Sequence, residues 1–119
     1  MFVGVCRLTF QLFDVHSLKM KRSVVNRLLE RTRAKFDISI AEVADNDRLS
    51  QAVLSFVVVG NAKPHVDAMM GKVGQFMEEM AVAPLLRRQT EIISFGDEMA
   101  SDEVLDTSLL DDMSVEDFQ

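Results

Sequence analysis

The sequence predicts an α+β fold in which four strands and two helices follow the order βαββαβ. Two observations support this order. Several segments alternate apolar and polar residues, which indicates strands, and two longer segments repeat apolar residues every three or four positions, which indicates amphipathic helices. Short stretches rich in Gly, Pro, Asn and Asp separate these segments and mark the turns between them.

The first strand and helix have the clearest patterns. Residues 2–12 alternate, and one face of this strand carries Cys6, Leu8, Phe10 and Leu12. A helix is then predicted from Ser17, a favourable N-cap residue, to about residue 36. The remaining predicted elements are strands at 38–43 and 51–59, a helix with Pro64 in its first turn that ends before Pro84, and a strand at 90–95.

The simplest packing of this order is a four-stranded antiparallel sheet with both helices on one face, the ferredoxin-like arrangement. The opposite face would then be rich in valine. Its predicted members are Val3, Val5, Val53, Val57 and Val59. An apolar open face predicts dimerisation or binding of another protein, unless a loop or the C-terminal segment covers it.

Charge is divided unevenly along the 119 residues, whose formal net charge is −6. Residues 97–119 carry nine acids and no Lys or Arg, whereas residues 1–96 carry all 13 bases and ten acids, a net charge of +3. We therefore expect a ferredoxin-like domain at 1–96 and an acidic, disordered tail at 97–119 that folds on a partner. The tail could also fold back on the basic helix and compete with nucleic acid.

Several function classes lack support in the sequence. A single cysteine, Cys6, allows no internal disulfide, and no apolar run approaches the roughly 20 residues of a membrane span. The N-terminus does not resemble a signal peptide, so we expect a cytoplasmic protein. The two histidines, His16 and His65, lie in no metal-ligand spacing, and no pair of carboxylates suggests catalysis. We expect no metal, no cofactor and no enzymatic activity, with a small-anion-binding enzyme as a weaker alternative.

The basic first helix is the main candidate for function. Seven of the 13 bases lie between Lys19 and Lys35, and three of these are in the first turns. The N-terminal end of a helix is already positive, so each cation there is disfavoured by about 0.3–1 kcal/mol at low salt. Bound phosphate would reverse this penalty because it would meet both backbone N–H groups and side-chain cations. The predicted anion- or RNA-binding residues are Lys19, Lys21, Arg22, Arg27, Arg31 and Arg33, and His16 and Ser17 would shape the helix start.

Other interpretations of the basic residues stay open. They could form a solvated face, or bind an acidic protein segment. Gly71 and Gly74 fit the G-x-x-G loop with which KH domains clamp RNA, but the apolar stripe continues through Val73 and favours one continuous helix. Recognition of RNA by the sheet, as in RRM domains, lacks the aromatic residues that stack on bases.

Three segments resemble a known family. "HSLKMKR" at 16–22, "SIAEV" at 39–43 and "QAVLSFVVVGNAKPHVDAMMGKV" at 51–73 are similar to the domain-of-unknown-function 503 family, the YlxP-like proteins of bacteria. The resemblance implies a ferredoxin-like fold and a gene often found beside translation and ribosome-maturation genes, and it supplies no catalytic residues. We therefore expect a ribosome- or rRNA-associated accessory factor, or alternatively a regulatory interaction module that dimerises through the open sheet face.

Overall fold

A computed structural model describes residues 1–80 and 83–96 and confirms the predicted order of elements. The strands and helices are β1 (Phe2–Gln11), α1 (Leu18–Lys35), β2 (Ser39–Ala44), β3 (Gln51–Gly60), α2 (Lys63–Met80) and β4 (Leu85–Ser94). The strands form one antiparallel sheet in the order β2-β3-β1-β4. Both helices pack on one face of this sheet, so the ferredoxin-like fold is confirmed.

The central strand β1 determines which residues are buried. Cys6, Leu8 and Phe10 on its helix-facing side are fully buried. They pair with residues of the same side of β3, as in the pair Cys6–Phe56. The helices complete the core with Val25, Leu28 and Leu29 of α1 and Val66, Met70, Val73 and Met77 of α2. The predicted apolar stripes of both helices therefore face the sheet.

The last strand begins five residues earlier than predicted, at Leu85 and not at residue 90. The additional segment contains two consecutive arginines, and its local pattern does not favour a strand. It is extended because β1 offers a long partner, with Arg7 opposite Gln89 and Thr9 opposite Arg87. The pairing continues to a register shift between Thr9 and Phe10. Contact with a distant segment therefore overrides local propensity here.

The second helix is continuous from Lys63 to Met80, which excludes the KH-type loop at Gly71 and Gly74. The two glycines differ in their surroundings. A Cβ atom on Gly71 would meet no atom within 4 Å, whereas one on Gly74 would lie 2.5 Å from Nη2 of Arg88. That nitrogen also donates a hydrogen bond to the carbonyl of Met70 at 3.3 Å. Because Gly74 has no side chain, the guanidinium of Arg88 in β4 can lie against α2.

The described residues contain no helix that is long and apolar enough to cross a membrane. The predictions made for the acidic segment 97–119, namely disorder, folding on a partner and competition with nucleic acid, concern residues outside the described ranges.

Candidate anion-binding surface on the first helix

The first helix begins with the cap that the sequence predicts. Ser17 has extended backbone geometry, and its side-chain oxygen accepts a hydrogen bond from the N–H of Met20 at 3.1 Å. No acidic residue lies in the first turn, and His16 is exposed just before the cap. The start of α1 therefore has no carboxylate of its own to offset Lys19, which is exposed in the first turn.

Lys21 does not lie with the other bases on the surface. Its relative exposure is 1%. The ammonium donates hydrogen bonds to the carbonyls of Asp45 and Asn46 and lies 3.2 Å from Oε2 of Glu42. This placement corrects the expectation that Lys21 faces an external phosphate, because its charge is directed into the molecule, where it connects α1 with β2 and the loop that follows.

Two further bases, at the end of α1, have contacts of their own. Arg33 is exposed, but its Nη2 donates a hydrogen bond to the carbonyl of Ile40 at 2.7 Å. The ammonium of Lys35 lies 4.7 Å from the centre of the Phe76 ring, close enough for a cation–π interaction. Phe76 in turn makes an edge-to-face contact with Phe36. The charged groups of Arg33 and Lys35 thus contribute to the stability of the fold at the end of α1.

The remaining four bases of α1 form what we call the α1 cation surface: Lys19, Arg22, Arg27 and Arg31. All four are exposed, and none of their side chains makes a hydrogen bond or ion pair with another residue in the ranges 1–80 and 83–96. At 100° per residue, Lys19 and Arg22 lie on the flank that also carries Arg33, and Arg27 and Arg31 lie on the opposite flank. The surface therefore covers two sides of the helix and is not confined to one pocket.

Arg27 and Arg31 border a cleft of about 90 Å³ between α1 and the end of α2. Apolar side chains form the rest of its wall, namely Phe10, Leu12, Val24, Leu28, Met80 and Ala83. The two arginines are one helical turn apart in α1 and both line the cleft. This combination suits a ligand that carries negative charge next to a flat or apolar group, because a guanidinium can bind phosphate or stack on a base.

The described residues show no arrangement for covalent or acid–base chemistry at this surface. Cys6 is fully buried in β1, and burial raises the pKa of its thiol, partly offset by the charge and hydrogen bond of Arg88. No group of three or more His, Cys, Asp and Glu side chains within the described ranges could hold a metal ion.

The five valines predicted for the open sheet face differ in their exposure. Val3 is opposite Val59, and Val5 is opposite Val57, near one end of the sheet. Val59 is 59% exposed and the other three are half-buried, whereas Val53 is 5% exposed. Polar residues occupy the middle of this face, including the pair Arg7–Ser55. The apolar part of the face is therefore limited to one end, where Ile93 extends it.

Comparison with known proteins shows the family. The family model described as "Protein of unknown function (DUF503)" matches residues 3–90. The chain belongs to the DUF503 family. A DUF503 relative is the protein named "Uncharacterized protein YlxP" of Bacillus subtilis (strain 168), which is 26% identical over 76 residues, or 64% of this chain and 83% of YlxP.

The fold of this DUF503 chain also has a counterpart among solved structures. The solution NMR structure of a de novo designed protein with a ferredoxin fold aligns with a TM-score of 0.52 and 12% sequence identity. The alignment covers 82% of this chain and 89% of the designed protein. At this level of identity the likeness concerns the fold alone.

Proposed function

We propose that the protein is a non-enzymatic accessory factor that binds RNA phosphates through the α1 cation surface. The observation that carries this proposal is that Lys19, Arg22, Arg27 and Arg31 are all exposed without a partner among the described residues. The net charge of +3 over residues 1–96 favours approach to a polyanion. Ribosomal RNA as the target rests on the resemblance to proteins encoded near translation genes.

The start of α1 contributes backbone groups to the same surface. The first amides of an α-helix have no partner within the helix. Ser17 accepts from the amide of Met20, and the first intrahelical bond is donated by the amide of Lys21 to Ser17. The amides of Leu18 and Lys19 are then left for solvent or an anion, and the Lys19 ammonium lies in the same turn. This arrangement explains how cations that are unfavourable for the helix can be useful to the protein.

The experiment measures binding of labelled total ribosomal RNA across a salt series. Four phosphate contacts to single-stranded RNA should give a slope of log K against log salt of about −3, and removing two contacts should reduce its magnitude by about 1.4. The variants are K19Q/R22Q and R27Q/R31Q. The matched control is K63Q/K72Q, because it removes two exposed lysines from α2 and changes the net charge equally.

The proposal predicts that both α1 variants lose affinity and slope and that the α2 control keeps its slope. Equal losses in all three variants would mean that only net charge matters, and would contradict a surface on α1. Absence of RNA binding at low salt would also contradict it, provided that a chain lacking residues 97–119 does not bind either. If the acidic segment competes with RNA, its removal should raise affinity, and unchanged affinity would exclude that competition.

A regulatory module that dimerises through the open sheet face is the second candidate. The exposure of Val59 and Ile93, at 59% and 43%, favours it. Association through these residues should persist or strengthen as salt increases, because apolar contacts are not screened. Sedimentation of a V59S/I93S variant tests this, since a face-to-face dimer should dissociate and RNA binding should not change.

A further inference from the structure

The two edges of the sheet are protected to different degrees. At one edge, β2 has only six residues and an irregular register between Glu42 and Ala44, and Arg33 donates to its Ile40 carbonyl. Short length, a bulge and a bound side chain all limit pairing with another chain. At the other edge, β4 is ten residues long, and no described strand pairs with its outer side. This long edge can accept another strand.

The register of β4 identifies the backbone groups on that outer side. The N–H of Phe95 donates to the carbonyl of Met1, so odd-numbered residues of β4 bond to β1. Because hydrogen-bonded and non-hydrogen-bonded pairs alternate in an antiparallel ladder, the N–H and C=O groups of Arg88, Thr90 and Ile92 point away from β1. They are spaced as an added antiparallel strand requires.

We propose that β4 pairs antiparallel with β4 of a second copy of this chain, about a two-fold axis at Gln89. Two sheets joined in this way form one eight-stranded sheet. Arg87 of each copy then lies directly opposite Glu91 of the partner subunit, on the sheet face opposite the helices. The interface then contains two symmetry-related ion pairs between Arg87 and Glu91 of the partner subunit. This dimer is a proposal separate from the proposed RNA binding.

The side chains of β4 select this register. An axis at residue 88 or 91 would place Arg88 opposite Arg88 or Glu91 opposite Glu91, and like charges directly opposite are destabilising. An axis at residue 90 would place Arg87 opposite Ile93. An axis at Gln89 pairs Arg87 with Glu91 at non-hydrogen-bonded positions, where opposite side chains come closest. It also brings the apolar residues 85 and 86, which lie beyond the register shift of β4, near 93 and 92 at both ends of the pairing.

Within the described ranges, the surroundings of β4 leave room for this partner. Leu86 and Ile93 are 52% and 43% exposed, which is high for large apolar side chains, and joining the edges would cover both. The guanidinium of Arg88 is already directed to the Met70 carbonyl and lies against Gly74. The side chain of Arg88 therefore does not obstruct the approach of a second strand on the helix-facing side.

The test measures the mass of the full chain by sedimentation at about micromolar to 100 µM concentration. The proposal predicts a dimer whose dissociation constant rises at least about tenfold in either R87E or E91R, since each places like charges opposite each other twice. The double variant R87E/E91R restores opposite charges and should recover the dimer. The matched control is R7E, which reverses a charge on the same sheet face but on the interior strand β1.

A second variant tests the edge itself without relying on charge. T90P removes an N–H that points away from β1, so the β1–β4 ladder keeps its hydrogen bonds and circular dichroism should remain unchanged. The dimer should be lost. A monomeric wild-type chain at 100 µM, or a dimer that survives both R87E and T90P, would overturn the proposal. Failure of R87E/E91R to restore a dimer that both single variants lose would overturn the register at Gln89.

Discussion

The ammonium of Lys21 lies 3.2 Å from the carboxylate of Glu42, between the first turns of α1 and strand β2. The side chains are 2% and 18% exposed, so the pair is largely removed from water. The ammonium donates its hydrogen bonds to two backbone carbonyls, those of Asp45 and Asn46, and its contact with Glu42 is an ion pair. Lys21, which was predicted to lie among the exposed cations of α1, therefore connects this helix with the sheet and with the loop between β2 and β3.

Substituting one partner of the Lys21–Glu42 pair should destabilise the protein more than replacing both partners with apolar residues. Removing one partner of a buried ion pair leaves an uncompensated charge and costs about 3–5 kcal/mol, and partial exposure of Glu42 favours the lower end of that range. E42L and K21M should each lower the free energy of unfolding by about 3 kcal/mol. The double variant K21M/E42L should recover most of that loss because it leaves no buried charge. Urea unfolding of all four proteins measures the coupling, and additive losses would contradict a direct interaction.

The two glycines of α2 should respond to different degrees when each is replaced by alanine. G71A adds a methyl group in open space and should stabilise the helix by about 0.5–1 kcal/mol. G74A gains the same helix propensity but displaces the Arg88 guanidinium from the Met70 carbonyl, so it should stabilise the protein less than G71A does. Thermal unfolding measures both. If G74A stabilises the protein as much as G71A does, the position of Arg88 against α2 would be contradicted.

The buried thiol of Cys6 should make stability depend on pH in the alkaline range. Burial raises its pKa in the folded protein, whereas the unfolded thiol ionises near its ordinary value of about 8.5. The Cys6 thiol of the folded protein therefore stays protonated to a higher pH than the thiol of the unfolded chain. Its contribution to stability is complete below about pH 8.5 and is lost as pH rises through the folded pKa.

The measurement is the free energy of unfolding between pH 8 and 10 in the wild type and in C6A. The variant should be less stable at every pH because it leaves a small cavity, but its decline with pH should be shallower. The same burial predicts that a thiol reagent such as DTNB reacts slowly with the native protein and rapidly in denaturant. Rapid reaction without denaturant would contradict the packing of β1.

Lys19 should affect stability and binding in opposite directions. K19E replaces a cation by an anion in the first turn of α1, which should stabilise the helix by about 0.3–1 kcal/mol at low salt. The same change removes a phosphate contact from the α1 cation surface and should weaken RNA binding. K72E, an exposed substitution in α2 that changes the net charge by the same amount, controls for a general change of charge. If K19E is stabilised but binds RNA normally, Lys19 does not contribute to RNA binding by the α1 cation surface.

Much of the fold could be predicted because its signals are local. Alternation in β1, the Ser17 cap and the apolar stripe of α2 each depend on residues close together in the chain, and the structure contains all of them. The first half of β4 has no such signal, since it is extended by pairing with β1 across most of the sequence. Its extent could not be inferred from local pattern alone.

The candidate surface was harder to predict, and Lys21 shows why. Its position four residues before Val25 and seven before Leu28 places it on the buried stripe of α1, so the helical pattern contained a signal. The residue type pointed the other way, because lysine is rarely buried without a partner. That partner, Glu42, lies on another element and is brought close only by the fold. Side-chain charge alone therefore overestimated the number of cations available to a ligand.

The central position of β1 also affects the order in which the protein can fold during synthesis. Of the four described strands, β1 leaves the ribosome first, and it pairs on one side with β3 and on the other with β4, from Phe2–Ser94 to Thr9–Arg87. Its second hydrogen-bonding edge stays unpaired until nearly the whole domain has emerged. Such distant pairings are slow to form, and an unpaired strand edge is prone to aggregate. A nascent chain that stops before Leu85 would thus expose β1, an interior strand of the complete sheet, as an edge strand.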